Sequence, residues 1–409
     1  MMVATIFPWN NVLSGMHQSP PSGDFTTASG DPVEAQHVYV VCLNKLLPGA
    51  YPASMTSITT SAPERPIRTA VIGYGLAGKV FHCPFIEASP DFSLDYIATN
   101  DPERRTQARA EHPNAQIVAD SNELASKADQ LDLVVLASPP GVHLEQGLSF
   151  LGRGVALVVD KPFAASVAEA EKLIQRAQEV GKALCVFQNR RWDGDFLTVK
   201  KLLDSGELGD VYQFESSFEH WAPKANSRWQ DLTPASLGGG VTFDLGSHLI
   251  DQALMLFGPI ADLRSDLRTI REGGGNDDAS FVELHHQSGV RSRLWMSRIG
   301  ALPGPRFRVL GTKAAYVSYG LDGQEPALAS GMLPTDERYG TAPEETWGML
   351  GVSAAGHPAP SRIPTERGNY PAFYEGVAAA LRGSGAVPVP PEDALEVLRI
   401  LENIRNSTY

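Results

Sequence analysis

IRTAVIGYGLAGKVFH, residues Ile67–His82, is the stretch on which the fold turns. IRTAVI has the small and β-branched apolar character of a buried strand, and the residues from Ala77 onward carry helical spacing. Between them stands Gly73-Tyr74-Gly75-Leu76-Ala77-Gly78, a G-x-G-x-x-G run that follows a strand and opens a helix. In that setting the first glycine permits a tight turn, the second lets the backbone approach a pyrophosphate, and the third lets helix pack on strand. N–H groups at the helix start supply the anion site. The stretch predicts a dinucleotide-binding Rossmann unit with residues 73–78 at the cofactor.

Working outward, short apolar runs alternate with helical patterns, as a parallel sheet requires. Strands are expected over Arg68–Ile72, Leu94–Thr99, Gln116–Val118, Leu133–Ala137, Ala156–Val159 and Ala183–Phe187. Helices are expected over Ala77–Glu87, Pro102–Glu111, Ser121–Lys127, His143–Arg153 and Ser166–Val180. The second strand ends in IATNDPERR, with Thr99 and Asn100 where an Asp or Glu would hold the ribose hydroxyls of NAD. No acid stands there, Arg104 and Arg105 follow, and Asp101 reads as a helix N-cap, so NADP is favoured over NAD. Ser138-Pro139-Pro140-Gly141-Val142-His143 falls at the C-terminal edge of the sheet, where ligands of doubly wound folds bind. Ser138, Pro139 and His143 are therefore cofactor candidates, and a plain structural turn is the other reading. The fifth strand ends in Asp160-Lys161-Pro162, bringing an ammonium to the same edge. A lysine there can contact the cofactor, hydrogen-bond a substrate oxygen and stabilise a developing alkoxide, and a solvated strand-end charge is the other reading of Lys161.

GGGVTFDLGSHLIDQ, Gly238–Gln252, sets Asp244 four residues before His248. On an α-helix the two would share a face, one turn apart. A carboxylate in that position can orient an imidazole and favour its protonated form, which makes a general base with its orienter. The same segment also reads as a capped helix start.

VIGYGLAGKVFH, SPPGVH, DKP and GGGVTFDLGSHLIDQ, in this order, resemble the glucose-fructose oxidoreductase and inositol dehydrogenase family, Gfo/Idh/MocA, from about Ile67 to the C-terminus. Asp160 departs from the family's usual Glu before Lys-Pro, and Pro140 from a common Asn. RRWDGDFLTVKKLL (Arg190–Leu203), SRWQD (Ser227–Asp231) and YGLDGQEPALASGMLP (Tyr319–Pro334) are similar to the branch that contains NADP-dependent scyllo-inositol dehydrogenases. The resemblance implies a Rossmann domain followed by a C-terminal α/β domain on a large open, mostly antiparallel sheet. It also implies a catalytic trio of Lys161, Asp244 and His248. Hydride transfer between nicotinamide and a secondary hydroxyl or carbonyl of a cyclic polyol or sugar is the expected reaction. Two other readings stay open: reduction of a different ring compound, such as a dihydrodiol, a tetrapyrrole or a biosynthetic intermediate, and a non-catalytic NAD(P)-binding regulator. The regulator would need the glycine loop but not the trio.

After Asn189 the pattern changes to a helix near Phe196–Leu203 and alternating segments at Val211–Phe218, Ala279–His286, Val290–Met296 and Phe307–Leu310. These suggest a sheet with one covered face and one face available to substrate or a partner subunit. A last amphipathic helix is expected over Pro391–Asn406. Arg191, Trp192, Arg228 and Trp229 suit a polyol through hydrogen bonds and stacking, with an ordinary salt bridge as the other reading of either arginine. His285-His286 lacks partners at metal-ligand spacing, so no metal is expected.

Composition sets the outer limits. At 409 residues the chain has room for more than one core, and we divide it into 1–65, a disordered extension, 66–189, the Rossmann domain, and 190–409, the substrate and oligomerisation domain. A net charge of -13 argues against nucleic acid or an anionic membrane surface as partner. No apolar run approaches the roughly 18 residues that span a bilayer. Cys42, Cys83 and Cys185 form neither a disulfide framework nor a metal knuckle, and a reducing, cytoplasmic setting is expected. Lys45 is the one Lys or Arg in the first 60 residues, which fits no transit peptide. Met55 offers a natural start ahead of Ile67, with the upstream part dispensable or an artefact of the gene model. The expected partners are a small-molecule substrate and further copies of the chain, as a dimer or tetramer through the C-terminal sheet.

Overall fold

The computed structural model describes residues 65–224 and 229–407. The expectations for residues 1–64, for a start at Met55, for Cys42 and for Arg228 lie outside the described residues.

Six strands form the first sheet: β1 Ile67–Ile72, β2 Phe92–Ala98, β3 Gln116–Val118, β4 Leu133–Leu136, β5 Ala156–Asp160 and β6 Leu184–Phe187. All pair in parallel, in the order β3-β2-β1-β4-β5-β6, which is the Rossmann order. Residues of β4, β5 and β6 are nearly all buried because helices cover both faces of the sheet. Burying each such Val or Leu contributes about 1.5–3 kcal/mol. Asp101 caps the helix Pro102–Glu111 through Oδ1, which accepts from Glu103 N and Arg104 N at 2.9 and 3.1 Å. Ser166 caps Val167–Val180, and Gly181 ends it with φ +62°. The helix after the glycine loop differs in detail from expectation: Ala77–His82 is a widened π turn, and the α-helix proper is Cys83–Ala88.

The second sheet has eight strands: β7 Val211–Glu219, β8 Ile260–Arg268, β9 Ala279–His286, β10 Arg291–Ser297, β11 Phe307–Gly311, β12 Ala315–Ser318, β13 Met349–Gly351 and β14 Ser361–Arg362. Their order is β14-β13-β12-β11-β7-β10-β9-β8, antiparallel throughout except for β7 beside β10. The expected α/β class with a large, mostly antiparallel second sheet is borne out. Alternation puts Phe214, Val282, Leu284, Leu294 and Met296 on the covered face. Helix Ser247–Phe257 packs on that face at β7 and β10. The last helix, Pro391–Ser407, lies against Ser247–Phe257, against Val167–Val180 and against β6, so both sheets belong to one compact body. No helix among the described residues is long and apolar enough to cross a membrane.

Candidate active site

The three glycines of the first loop do three different things. Gly73 has φ +101°, and a Cβ there would stand 2.5 Å from the Ala137 carbonyl oxygen where β1 and β4 end side by side. A Cβ at Gly78 would collide with the Gly73 carbonyl oxygen, so the helix can approach the strand only as glycine. Gly75 is open, its nearest neighbour being Arg104 Nη1, 3.5 Å from a Cβ position. This is the cradle a pyrophosphate needs, with a guanidinium over it. Leu76 is exposed beside the loop and Ala77 begins the π turn. The Tyr74 side chain is turned inward: it is buried, donates to Glu111 Oε2 at 2.5 Å and meets the His112 ring edge-on. At the end of β2, Thr99 is buried and Asn100 exposed, its carbonyl accepting from Arg105 Nη2 at 3.3 Å.

Across the same sheet edge, Ser138 Oγ donates to Gln146 Oε1 at 2.7 Å, and Pro139 precedes the short turn Pro140–Val142. His143 is fully buried, with Nε2 2.8 Å from the Ser138 carbonyl and Nδ1 3.1 Å from that of Phe163. It ties the SPPG turn to the DKP turn, a structural position below the expected cofactor contact. Loss of solvation lifts the Asp160 carboxyl to about 6 against the pull of Lys161.

The loop after β5 and the glycine run of the second half meet here. Lys161 Nζ donates to the Asp244 main-chain carbonyl and to Asp244 Oδ1, both at 3.0 Å. Asp244 Oδ2 accepts from Arg298 Nη2 at 2.6 Å, and Gln230 adds a further hydrogen bond. Burial raises the Asp244 carboxyl, but Lys161 and Arg298 outweigh it and leave the group below the usual carboxylate range. Asp244 is therefore an anion between two cations. The glycines ahead of it are packing requirements: a Cβ at Gly240 would strike Asp277, and one at Gly239 the Thr233 carbonyl. Asp277 in turn accepts from Thr242 N and Oγ1 at 2.8 and 2.6 Å, which fixes the turn that carries Asp244.

The expected pairing of Asp244 with His248 is corrected by the structure. Thr242–Gly246 form a π turn that runs into the α-helix Ser247–Phe257, and the Asp244 carboxylate is taken up by Lys161, Arg298 and Gln230, while no hydrogen bond joins it to His248 among the described residues. His248 is 4% exposed, and its Nδ1 has no hydrogen-bond partner among the described residues. Burial first, then the nearby charges of Lys161, Arg190 and Arg306, push the imidazole well below its ordinary value. A neutral ring results, where the sequence suggested a carboxylate favouring the charged one.

Arg191 and Trp192, expected at substrate, are turned into the protein. Arg191 grips Asp251 with Nε and Nη2 at 2.8 and 2.6 Å and Asp393 with Nη1 at 3.1 Å, so it braces helices Ser247–Phe257 and Pro391–Ser407. Trp192 packs edge-on to Phe373 at 5.8 Å. Trp229 opens the short helix Trp229–Leu232. His285 faces Glu283 and His286 is bound to Gly258 O and Ser292 Oγ.

Sequence reasoning passes over Arg298 and Arg306. Arg298 had a signal: Ser292, Leu294 and Met296 face the core, and Arg298 is the next residue in that register. Arg306 is 2% exposed and donates to Ser216 Oγ at 2.6 Å and Gln252 Oε1 at 3.0 Å. Gln252 Nε2 donates to the Arg190 carbonyl at 2.8 Å, which ties the floor beneath His248 together.

Residues 67–188 match the profile described as an oxidoreductase family with NAD-binding Rossmann fold, and residues 196–317 match the GFO/IDH/MocA C-terminal domain. The chain is 32% identical to the NADP-dependent scyllo-inositol 2-dehydrogenase IolW of Bacillus subtilis, over 84% of this chain and 94% of that protein. It is 36% identical to the uncharacterized oxidoreductase YdgJ of Escherichia coli, over 82% and 94%. Among solved structures, the oxidoreductase YPO2259 of Yersinia pestis superposes with a TM-score of 0.78 at 34% identity, over 85% of this chain and 96% of that one.

Proposed function

The chain belongs to the GFO/IDH/MocA oxidoreductase family, and from that premise we propose that it is an NADP-dependent oxidoreductase acting on a secondary hydroxyl or carbonyl of a cyclic polyol or sugar, scyllo-inositol-like in shape. The observation that carries this reading is the meeting of Lys161 with Asp244 at the sheet edge that also bears the glycine loop. An ammonium has three N–H groups, and two of Lys161's are engaged by Asp244. The third has no partner among the described residues and is open to a substrate oxygen, where it would stabilise negative charge as a hydroxyl is oxidised or a carbonyl reduced. His248, kept neutral, takes the hydroxyl proton in oxidation and returns it in reduction. Gly73, Gly75 and Gly78 would hold the dinucleotide, with Thr99, Asn100 and Arg104 toward its ribose end, and when bound it would supply the hydride acceptor or donor. Arg104 over Gly75, with no acid at Thr99 or Asn100, supports the 2′-phosphate form. The division into a Rossmann unit, 66–189, and a substrate unit, 190–409, is part of the same reading.

A cofactor-reduction screen over inositols, aldoses and deoxy sugars, run with NADP and with NAD, tests it. We expect turnover of at least one cyclic polyol or sugar and faster initial rates with NADP. Equal or faster rates with NAD would contradict the cofactor assignment, and silence across the whole panel would contradict the substrate class.

A further inference from the structure

We propose that Arg298 is a positioning residue of this site: its guanidinium fixes the Asp244 carboxylate in the orientation that seats the Lys161 ammonium. In its kinetic arm this rests on the function proposed above; in its chemical arm it does not. The geometry carries it. Asp244 lies on a widened turn, Thr242–Gly246, and one of its oxygens faces Lys161 while the other faces Arg298 Nη2 at 2.6 Å. A carboxylate held only by Lys161 and the neutral Gln230 hydrogen bond can still swing about its last torsion, and the charged tether from Arg298 on the other oxygen restricts that swing. Arg298 is well placed to serve as a fixed post. Its N donates to the Asp278 carbonyl at 2.8 Å and its carbonyl accepts from Ala222 N at 2.7 Å, so the main chain is tied on both sides. Its side chain is 13% exposed and lies in the core-facing register of β10. The charged and titratable groups around Asp244 are Lys161 and Asp160 from the turn after β5, Arg298 from the end of β10, and His248 one turn along its own segment.

Arg298→Met removes the tether at similar length, Arg298→Gln removes the charge while staying polar, and Arg298→Lys keeps the charge. The first readout needs no substrate: the rate at which Lys161 is acetylated by acetic anhydride, followed by peptide mass spectrometry against exposed Lys200. Freed from its seat, Lys161 should label about fivefold faster or more in the Met and Gln variants and near the wild-type rate in Arg298→Lys. Wild-type labelling in whichever of the Met and Gln variants folds would overturn the proposal. The second readout is kcat/KM against pH with the substrate found in the screen. Losing a cation lets the Asp244 carboxyl rise, so the acid limb should move up by about one pH unit, with kcat lowered and KM for NADP unchanged. An unmoved limb counts against the proposal. A wild-type protein inactive on every sugar tested would sink the proposed function alone, because the labelling result stands without it.

Discussion

His248 shows most plainly what a residue's type reveals and what only its surroundings can. Among the described residues its buried Nδ1 has no partner, and three cations disfavour its charged form, so it is neutral at physiological pH. An ordinary imidazole would lose its base function as pH falls through about 6.5. Here the protonation that silences the base is displaced downward, and Asp244, also held low, titrates lower still than an ordinary imidazole. We therefore expect kcat/KM to show no inflection near about 6.5 that depends on His248, whatever limb the Asp160 carboxyl, lifted to about 6, adds. His248→Ala should lower turnover at least about a hundredfold on either side of that pH. An inflection near the ordinary imidazole value that disappears in His248→Ala would refute the account. Lys161, Asp244 and His248 were each legible as residue types that carry chemistry. Their connectivity was not, because the Asp244 carboxylate is engaged by Lys161 and by Arg298, residues far along the chain that no local spacing announces. Arg298 was legible in principle from strand parity, whereas nothing local marked Arg306 as buried among Ser216, Gln252 and Asp195.

The elements were readable in proportion to how strongly burial shapes their sequence. In the parallel sheet β1 and β2 carry a polar residue or two and β3, at the edge, has only three residues, while β4, β5 and β6 stand out as apolar runs because both faces are covered. β8, IADLRSDLR, does not, because it is an edge strand whose outward positions carry Asp262, Arg264, Asp266 and Arg268. β13 and β14, of three and two residues, are too short for any period to show. Where a close approach fixes the residue, sequence and structure agree to the position, and two glycines of one loop can be separated by experiment. A methyl group at Gly78 meets main-chain oxygen, which cannot move aside, so Gly78→Ala must part helix from strand. We expect it to cost about 2–3 kcal/mol in urea unfolding and to weaken cofactor binding with it. Gly75→Ala has only the end of Arg104 nearby, at 3.5 Å, so stability should hardly change. Its methyl would stand where the dinucleotide approaches, and NADPH fluorescence titration should show affinity at least about tenfold weaker. Equal loss of stability in the two variants would contradict the division of labour among the glycines.

At the scale of the whole molecule, the covered face of the second sheet builds the site and the opposite face is left to account for. Register places Arg264, Glu283, Arg293, Glu215 and Arg308 side by side across β8, β9, β10, β7 and β11, a row of alternating charge. Arg293 meets Glu283 at 3.0 Å and Arg308 meets Glu215 at 2.9 Å along it. One step along the strands Trp295 lies against Phe281, ring centres 4.3 Å apart, and is 46% exposed. Trp221, bridged to Ile299 in the same outward register, is 60% exposed. A row of alternating sign is complementary to itself: a two-fold axis between β9 and β10 sets Arg264 opposite Glu215 and Arg293 opposite Glu283 of a second copy, with Arg308 at the end of the row and aromatic rings flanking the contact. That symmetry favours an even-numbered assembly through this face, a dimer or a tetramer. Sedimentation equilibrium at micromolar concentration should find one, and the double variant Arg293→Glu, Trp295→Glu should run as a monomer. Both changes lie on the face away from Lys161 and His248, so the separated subunits should keep their fold by circular dichroism and still bind NADPH. A wild-type chain that remains monomeric over the whole concentration range would mean that the alternating row only solvates the sheet.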